Sequence, residues 1–459
     1  LDIYESKVKD TPGFKNVNLF RRMKPAQILV LGFALVILLG SVLLSLPVAS
    51  ASRQPTHFLD AFFTATSAVC VTGLVVQDTG THFSTFGQVV ILALIQIGGL
   101  GFMTMATFFA LLLGKRINLK ERLLMQEALN QLTVEGIVKL VRHVLVITFL
   151  IEGTGALILG IRWSGELGLA RGFYYGLFHS ISAFNNAGFD LFGEFRSLTG
   201  FVSDITVNTV ITILIILGGI GFTVIVDLIN KRRWRGFSLH TKIALSTTAA
   251  LLAIGAISVF VLEYNNSKTL APLSLPAKIL ASWFQSVTPR TAGYNTLDIA
   301  GLRDATQLLI IILMFIGASP GSTGGGIKTT TFRSLITAVS SMVRGRQDVE
   351  LYERRLPQDL VYRSLTITII ATALVLAVTM LLTITETADF LMILFETVSA
   401  FGTVGLTMGL TTKLTVIGKI LIALTMFAGR VGPLTIAFAV AQKQQKTLYR
   451  LAEEKIMIG

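Results

Sequence analysis

The chain has 459 residues, is 52% hydrophobic and 14% charged, and carries a formal net charge of +13, with a mean hydropathy of +0.71. A soluble domain carries about 25% charged residues, so the composition argues against a soluble enzyme or binding module and for a multi-pass membrane protein. A single cysteine, Cys70, excludes an internal disulfide framework and a cysteine-rich metal cluster.

The stretch 2–24 is polar and mixed in charge, and the apolar run after it continues to a full span. It reads as a cytoplasmic N-terminal segment, 1–25, and not as a cleavable signal. A first repeat follows over 26–114: a long outer helix at 26–46, a short apolar helix at 57–68, the element Cys70-Val71-Thr72-Gly73, and a long inner helix at 86–113. The second repeat, 137–230, keeps that order, with an outer helix at 137–161, a short helix at 172–184, Asn185-Asn186-Ala187-Gly188, and an inner helix at 205–229. In the third, 242–343, the segments are 242–262, 277–287, Arg290-Thr291-Ala292-Gly293 and 305–343. In the fourth, 361–442, they are 361–384, 389–401, Gly402-Thr403-Val404-Gly405 and 415–442, and a basic tail, 443–459, closes the chain. The four glycines recur about every 105 to 115 residues, which is one repeat period.

Aligned on the glycines without gaps, the tenth residue back is Phe63, Phe178, Trp283 and Phe395, and the sixth is Ser67, Ser182, Val287 and Ser399. Each short helix spans roughly half a bilayer at about 1.5 Å per residue, so the chain must enter and turn back. Non-helical backbone at that depth is tolerated only where protein buries it or it lines water. Four such elements around one axis would present backbone carbonyls that can replace the water shell of a monovalent cation.

The first two inner helices carry Ile97-Gly98-Gly99-Leu100-Gly101-Phe102 and Leu217-Gly218-Gly219-Ile220-Gly221-Phe222, which read as close packing through small residues. The third is interrupted by Gly317-Ala318-Ser319-Pro320-Gly321-Ser322-Thr323-Gly324-Gly325-Gly326, running on to Ile327-Lys328. Glycine and proline break a helix here, and the spacing does not match the GxxxxGK[ST] of a phosphate loop. A mobile intramembrane loop across the path is expected, as the only clearly broken helix. Arg430 lies inside the fourth inner helix, where a charge costs at least about 2.5 kcal/mol unless it faces water or a partner. It reads either as a buried pair holding two helices together or as a positive charge near the ion path that contacts the loop. Arg290 is expected to brace the third element against a carboxylate, Glu396 or Asp60. Glu152 reads as a structural hydrogen-bond partner, and the five histidines have no metal-ligand spacing.

Lys and Arg collect in 7–24, 115–142, 231–242, 328–363 and 443–455, while the opposite loops hold few. This is the positive-inside asymmetry, which places both termini in the cytoplasm. The basic excess is thus a topology signal and not a nucleic-acid signal. No nucleophile–histidine–acid pattern suggests covalent chemistry.

The four glycine elements, the fourfold helix–short helix–helix order, the broken third inner helix and Arg430 resemble the Trk/Ktr/HKT superfamily of cation transporters over 23–442. Strings such as Thr288-Pro289-Arg290-Thr291-Ala292-Gly293 and Phe401-Gly402-Thr403-Val404-Gly405 carry the likeness. With eight long helices, the chain looks most like the bacterial Ktr-type potassium-translocating membrane subunit. The resemblance implies K⁺ as the transported ion, with Na⁺ as a second candidate. It also implies a homodimer in membrane lipid and a cytoplasmic ring of nucleotide-binding regulatory subunits. For Arg430 it favours the second reading, a charge that contacts the loop. In that family a serine at the first filter glycine goes with Na⁺ transport, and Gly73 fits K⁺. Cys70 departs from the small polar residue expected at its position.

The expected fold is an all-α polytopic protein of the bacterial cell membrane. Its four helix–pore-helix–helix repeats stand in pseudo-fourfold arrangement around a central pore. Carbonyls of Cys70–Gly73, Asn185–Gly188, Arg290–Gly293 and Gly402–Gly405 form the filter, and 317–326 with Lys328 and Arg430 forms the gate, separate from the filter. The rival is a Na⁺-coupled secondary transporter with alternating access, which calls for paired broken helices in inverted halves.

Overall fold

The structure, a computed structural model, describes residues 25–101, 104–105, 107–108, 119–128, 136–432, 435 and the separate positions 452, 454 and 457. Phe102, the basic segment 7–24, much of 115–135 and the expected end of the fourth inner helix lie outside the described residues, as does most of the tail.

The described chain is helical, with one short hairpin. In order it forms α1 (Pro25–Ser45), α2 (Phe58–Val69), α3 (Thr85–Leu100), α4 (Leu119–Ala128), α5 (Ile137–Leu167), α6 (Leu169–Phe184) and α7 (Ile205–Gly219). Then come α8 (Phe222–Lys231), α9 (Leu239–Glu263), α10 (Leu275–Val287), α11 (Asp304–Phe315) and α12 (Thr329–Val343). The hairpin β1 (Glu350–Leu351) and β2 (Arg354–Arg355) follows, then α13 (Gln358–Thr385), α14 (Phe390–Gly402) and α15 (Val416–Val431).

The outer helices α1, α5, α9 and α13 are long and apolar enough to cross a membrane. They leave Leu35, Leu150, Ile257 and Met380 exposed on their outward faces, as expected where lipid is the solvent. The short helices α2, α6, α10 and α14 sit inside them, and their C-terminal halves are buried. Phe63, Phe178 and Phe395 are fully buried.

The inner helices differ from the continuous spans expected. The sequence predicts inner helices running to 113, 229, 343 and 442, whereas α3, α7 and α15 each stop near a glycine of left-handed φ: Gly101 (81°), Gly221 (97°) and Gly432 (91°). Only glycine adopts this conformation without strain. At Gly221 the chain turns so sharply that α7 and α8 meet at 97°. The second inner helix is therefore broken as well as the third, which corrects the expectation of one broken helix. Helix starts follow capping chemistry. Ser84, Asp204 and Thr415 accept from the backbone N–H groups of Gly87, Val207 and Gly418. At α11 the Glu263 carboxylate accepts from the N–H of Arg303 instead.

Candidate functional site

Each short helix ends in a turn that delivers a glycine element to the interior. After α2, α6 and α14 the turn is the same. The N–H groups of Thr72, Ala187 and Val404 donate at 2.8 Å to the carbonyls of Ser67, Ser182 and Ser399. The hydroxyls of Ser67 and Ser399 also accept from Gly73 and Gly405. After α10 the turn closes one residue tighter, with Ala292 donating to Thr288 at 2.9 Å. The Thr288 hydroxyl donates to the Tyr294 carbonyl as that of Ser182 does to Phe189. Thr288, not Val287, is thus the counterpart of the serines, and the ungapped alignment slips by one in the third copy.

The four elements share one backbone pattern. Val71, Asn186, Thr291 and Thr403 have φ of 50°, 58°, 74° and 50°, and Gly73, Gly188, Gly293 and Gly405 have φ of 88°, 70°, 79° and 92°. Left-handed residues therefore alternate with ordinary ones, and three of the four non-glycine positions hold side chains with polar atoms. Contacts between elements close into a cycle. A methyl group added at Gly73 would collide with the carbonyl of Ala187, at Gly188 with that of Ala292, at Gly293 with that of Val404, and at Gly405 with that of Thr72. A side chain at any of the four would drive neighbouring elements apart.

The paired glycines of the inner helices have specific work. Gly98, Gly218 and Gly429 lie against the carbonyls of Val69, Phe184 and Phe401, close to the ends of α2, α6 and α14. Gly99 makes room for the Asn185 side chain. That amide donates to Gln96 Oε1 at 2.8 Å and Glu152 Oε1 at 2.9 Å, while Gln96 donates to Glu152 Oε2 at 3.1 Å. Glu152, on an outer helix, thereby fixes the first residue of the second element.

The segment 317–326 folds back onto the break between α7 and α8. Ser319 and Thr323 donate backbone N–H groups to the carbonyls of Gly219 and Gly218, and Phe222 donates to that of Gly321. The two breaks satisfy each other's freed backbone groups, which a buried helix end requires. Lys328 Nζ turns back onto the carbonyls of Gly324 (2.6 Å) and Gly325 (3.4 Å). Arg430 stands in the fourth copy where Gly99 and Gly219 stand in the first two. Its guanidinium donates from Nη1 to the Thr323 carbonyl and from Nη2 to the carbonyls of Gly98 and Gly99, the latter at 3.0 Å. It ties the segment to the C-terminal end of α3, where a cation is also favoured by the helix dipole.

Arg290 does not meet a carboxylate. Its Nη2 lies 3.4 Å from Thr248 Oγ1 and from the Gly317 carbonyl. Asp60 is held by Lys419 at 2.6 Å, and Glu396 accepts from Thr407 and Thr411. The two acids are already committed to local partners, which corrects the expected brace. Cys70 is fully buried. Among the described residues no group of three or more His, Cys, Asp or Glu is placed to hold a metal ion.

Comparison with known proteins decides the family. The profile described as "TrkH: Cation transport protein" matches residues 8–449. The chain belongs to this family. It is 49% identical over 438 residues to the Ktr system potassium uptake protein B of Bacillus subtilis, covering 95% of this chain and 97% of that protein. It is 41% identical over 445 residues to the potassium/sodium uptake protein NtpJ of Enterococcus hirae, covering 96% of this chain and 98% of that protein. Among solved structures, the crystal structure of the potassium transporter TrkH from Vibrio parahaemolyticus superposes with a TM-score of 0.71 at 18% identity. It covers 95% of this chain and 86% of that one, and it shows the shared fold.

Proposed function

We propose that this chain takes up potassium across the bacterial cell membrane through a channel-like pore. The four repeats, 26–114, 137–230, 242–343 and 361–442, stand in pseudo-fourfold arrangement around it. Carbonyls of the four glycine elements form the selectivity filter, and 317–326 with Lys328 and Arg430 forms the gate. The observation that carries this reading is the closed cycle of glycine-to-carbonyl contacts, Gly73 to Ala187, Gly188 to Ala292, Gly293 to Val404 and Gly405 to Thr72. A cycle of four leaves an axis at its centre, and alternating left-handed residues keep side chains off that axis. The short helices then point their partly negative C-terminal ends at it.

Potassium as cargo draws on the relatives. The Bacillus protein is named for potassium uptake in a Ktr system, and the Enterococcus protein for potassium and sodium. Na⁺ remains the second candidate ion. The name of a system also supports further subunits. A homodimer in lipid, with both termini and a docked nucleotide-binding regulatory ring on the cytoplasmic side, completes the proposal. The driving force is the membrane potential, about 2.3 kcal/mol per charge per 100 mV.

The test is tracer uptake into proteoliposomes containing the purified protein, with the potential set by an ion gradient. Rb⁺ uptake should follow the potential, be inhibited by K⁺ and proceed without Na⁺. One observation favours the rival reading, because the break at Gly221 gives a second interrupted helix. Uptake that requires a Na⁺ or proton gradient at fixed potential would establish that rival and overturn the channel-like reading.

A further inference from the structure

The loop does more than lie beneath the glycine elements. It is bonded to them. Thr323 is fully buried. Its hydroxyl has one proton to give and three acceptors in reach: Gly218 O at 3.1 Å, Asn186 Oδ1 at 3.2 Å and Phe184 O at 3.3 Å. Asn186 in turn donates from Nδ2 to the Arg290 carbonyl and to Thr291 Oγ1, both at 3.1 Å. Thus one side chain of the loop stands within hydrogen-bond reach of the amide that links the second element to the third. Gly324 packs directly against the Thr291 side chain. The Gly325 N–H donates to Thr403 Oγ1 at 3.0 Å. Arg290 reaches the carbonyl of Gly317.

The pattern is position-specific. The residues the loop holds are Asn186, Thr291 and Thr403, each two places before its glycine and each in the left-handed conformation. The first element has Val71 at that place, which has no side-chain polar atom to offer. Left-handed φ is strained for residues other than glycine, and such strain persists only where surrounding contacts over-determine it. For three of the four elements part of that determination comes from the loop.

We infer that Asn186, Thr403 and Thr323 are specificity-determining residues that position the filter carbonyls, and that the loop sets filter geometry while it closes the path. Opening the loop breaks the Thr323–Asn186 and Gly325–Thr403 bonds, so the open pore is the less selective one. The inference rests on the filter-and-gate reading above and deepens it, because it joins two parts that the sequence treats as separate.

Thr323→Val and Thr403→Val remove the hydroxyls at nearly constant shape. Thr323→Ser and Thr403→Ser keep them. Each variant is purified as the full chain, checked for a parental gel-filtration profile, and reconstituted for Rb⁺ and Na⁺ tracer uptake without any partner. Both valine variants should lower the Rb⁺/Na⁺ uptake ratio by about three- to tenfold, the factor that one net hydrogen bond between neutral groups carries. Both serine variants should restore it. A mere packing defect would not follow the hydroxyl in this way. A partial deletion within 317–326 is run beside them. Raised Rb⁺ flux with an unchanged ratio in the valine variants and the deletion would leave the gate standing and overturn the coupling. A lowered ratio with no gain of flux in the deletion would support the coupling and remove the gate.

Discussion

If 317–326 gates the path as proposed, Arg430→Ala gives the most direct measure of what holds it closed. The guanidinium donates to the Thr323 carbonyl on one side and to Gly98 and Gly99 on the other. Of these three, only the first is lost when the loop moves away, so it alone is the contribution of Arg430 to the bias of closed against open. A hydrogen bond from a charged donor contributes about 1.5–3 kcal/mol net. At 1.4 kcal/mol per tenfold, its removal multiplies the open-to-closed ratio by about 10 to 150. A loop open about 1% of the time would then be open for roughly 10% to 60% of it. The assay is Rb⁺ uptake into proteoliposomes at fixed potential, normalised to protein that elutes as the parent does. Arg430→Lys should fall between parent and alanine, since an ammonium keeps the charge but lacks the fork that spans both sides. Parental flux from well-folded Arg430→Ala protein would show that this bond does not latch the loop.

Other substitutions probe other parts. Gly73→Ser should lower the K⁺/Na⁺ permeability ratio in reversal-potential measurements, because its side chain would press on the Ala187 carbonyl; an unchanged ratio would remove Gly73 from the filter. Cys70 is fully buried, so a cationic thiol reagent added outside should leave uptake unchanged and leave the thiol unlabelled by mass spectrometry. Glu152→Gln should turn an amide toward Asn185 or Gln96, both of which already donate there. The unmatched donor should cost about 1–3 kcal/mol, read as a lowered midpoint of thermal inactivation, with Glu152→Asp less affected.

The order of long and short helices and the C-terminal ends of the short ones were legible because both rest on local signals, although α6 and α10 start three and two residues before the expected 172 and 277. Apolar runs and glycines mark them in the string itself, and the short helices at 57–68 and 389–401 match α2 and α14 to within about one residue. The break at Gly221 was not legible. Glycine pairs inside an apolar run signal close packing equally well, and both readings hold at Gly218, which packs on Phe184, and Gly221, which turns the chain. What distinguishes them is the loop 100 residues later that takes up the freed carbonyls. The brace on Arg290 was misread for a related reason. Charge pairing from sequence ignores prior commitments, and Lys419 and the threonines at 407 and 411 already hold the two acids. The tighter third turn has a sign in hindsight. Thr288 and Ser286 flank the place where the other copies have serine, each displaced by one, and only Thr288 bonds within the turn, since Ser286 donates to the Leu252 carbonyl.

Arg430 occupies a place that the first two copies leave to glycine, and one copy alone supplies the loop it grips. If 317–326 is the gate proposed above, the chain carries a single moving part and a single catch, both encoded in one polypeptide. Each chain would then decide its own state. In electrical recordings an assembly of such chains would step through equal levels, one per chain, with the occupancy of each level following a binomial distribution. Departures from that distribution would measure how strongly a shared partner ties the chains together.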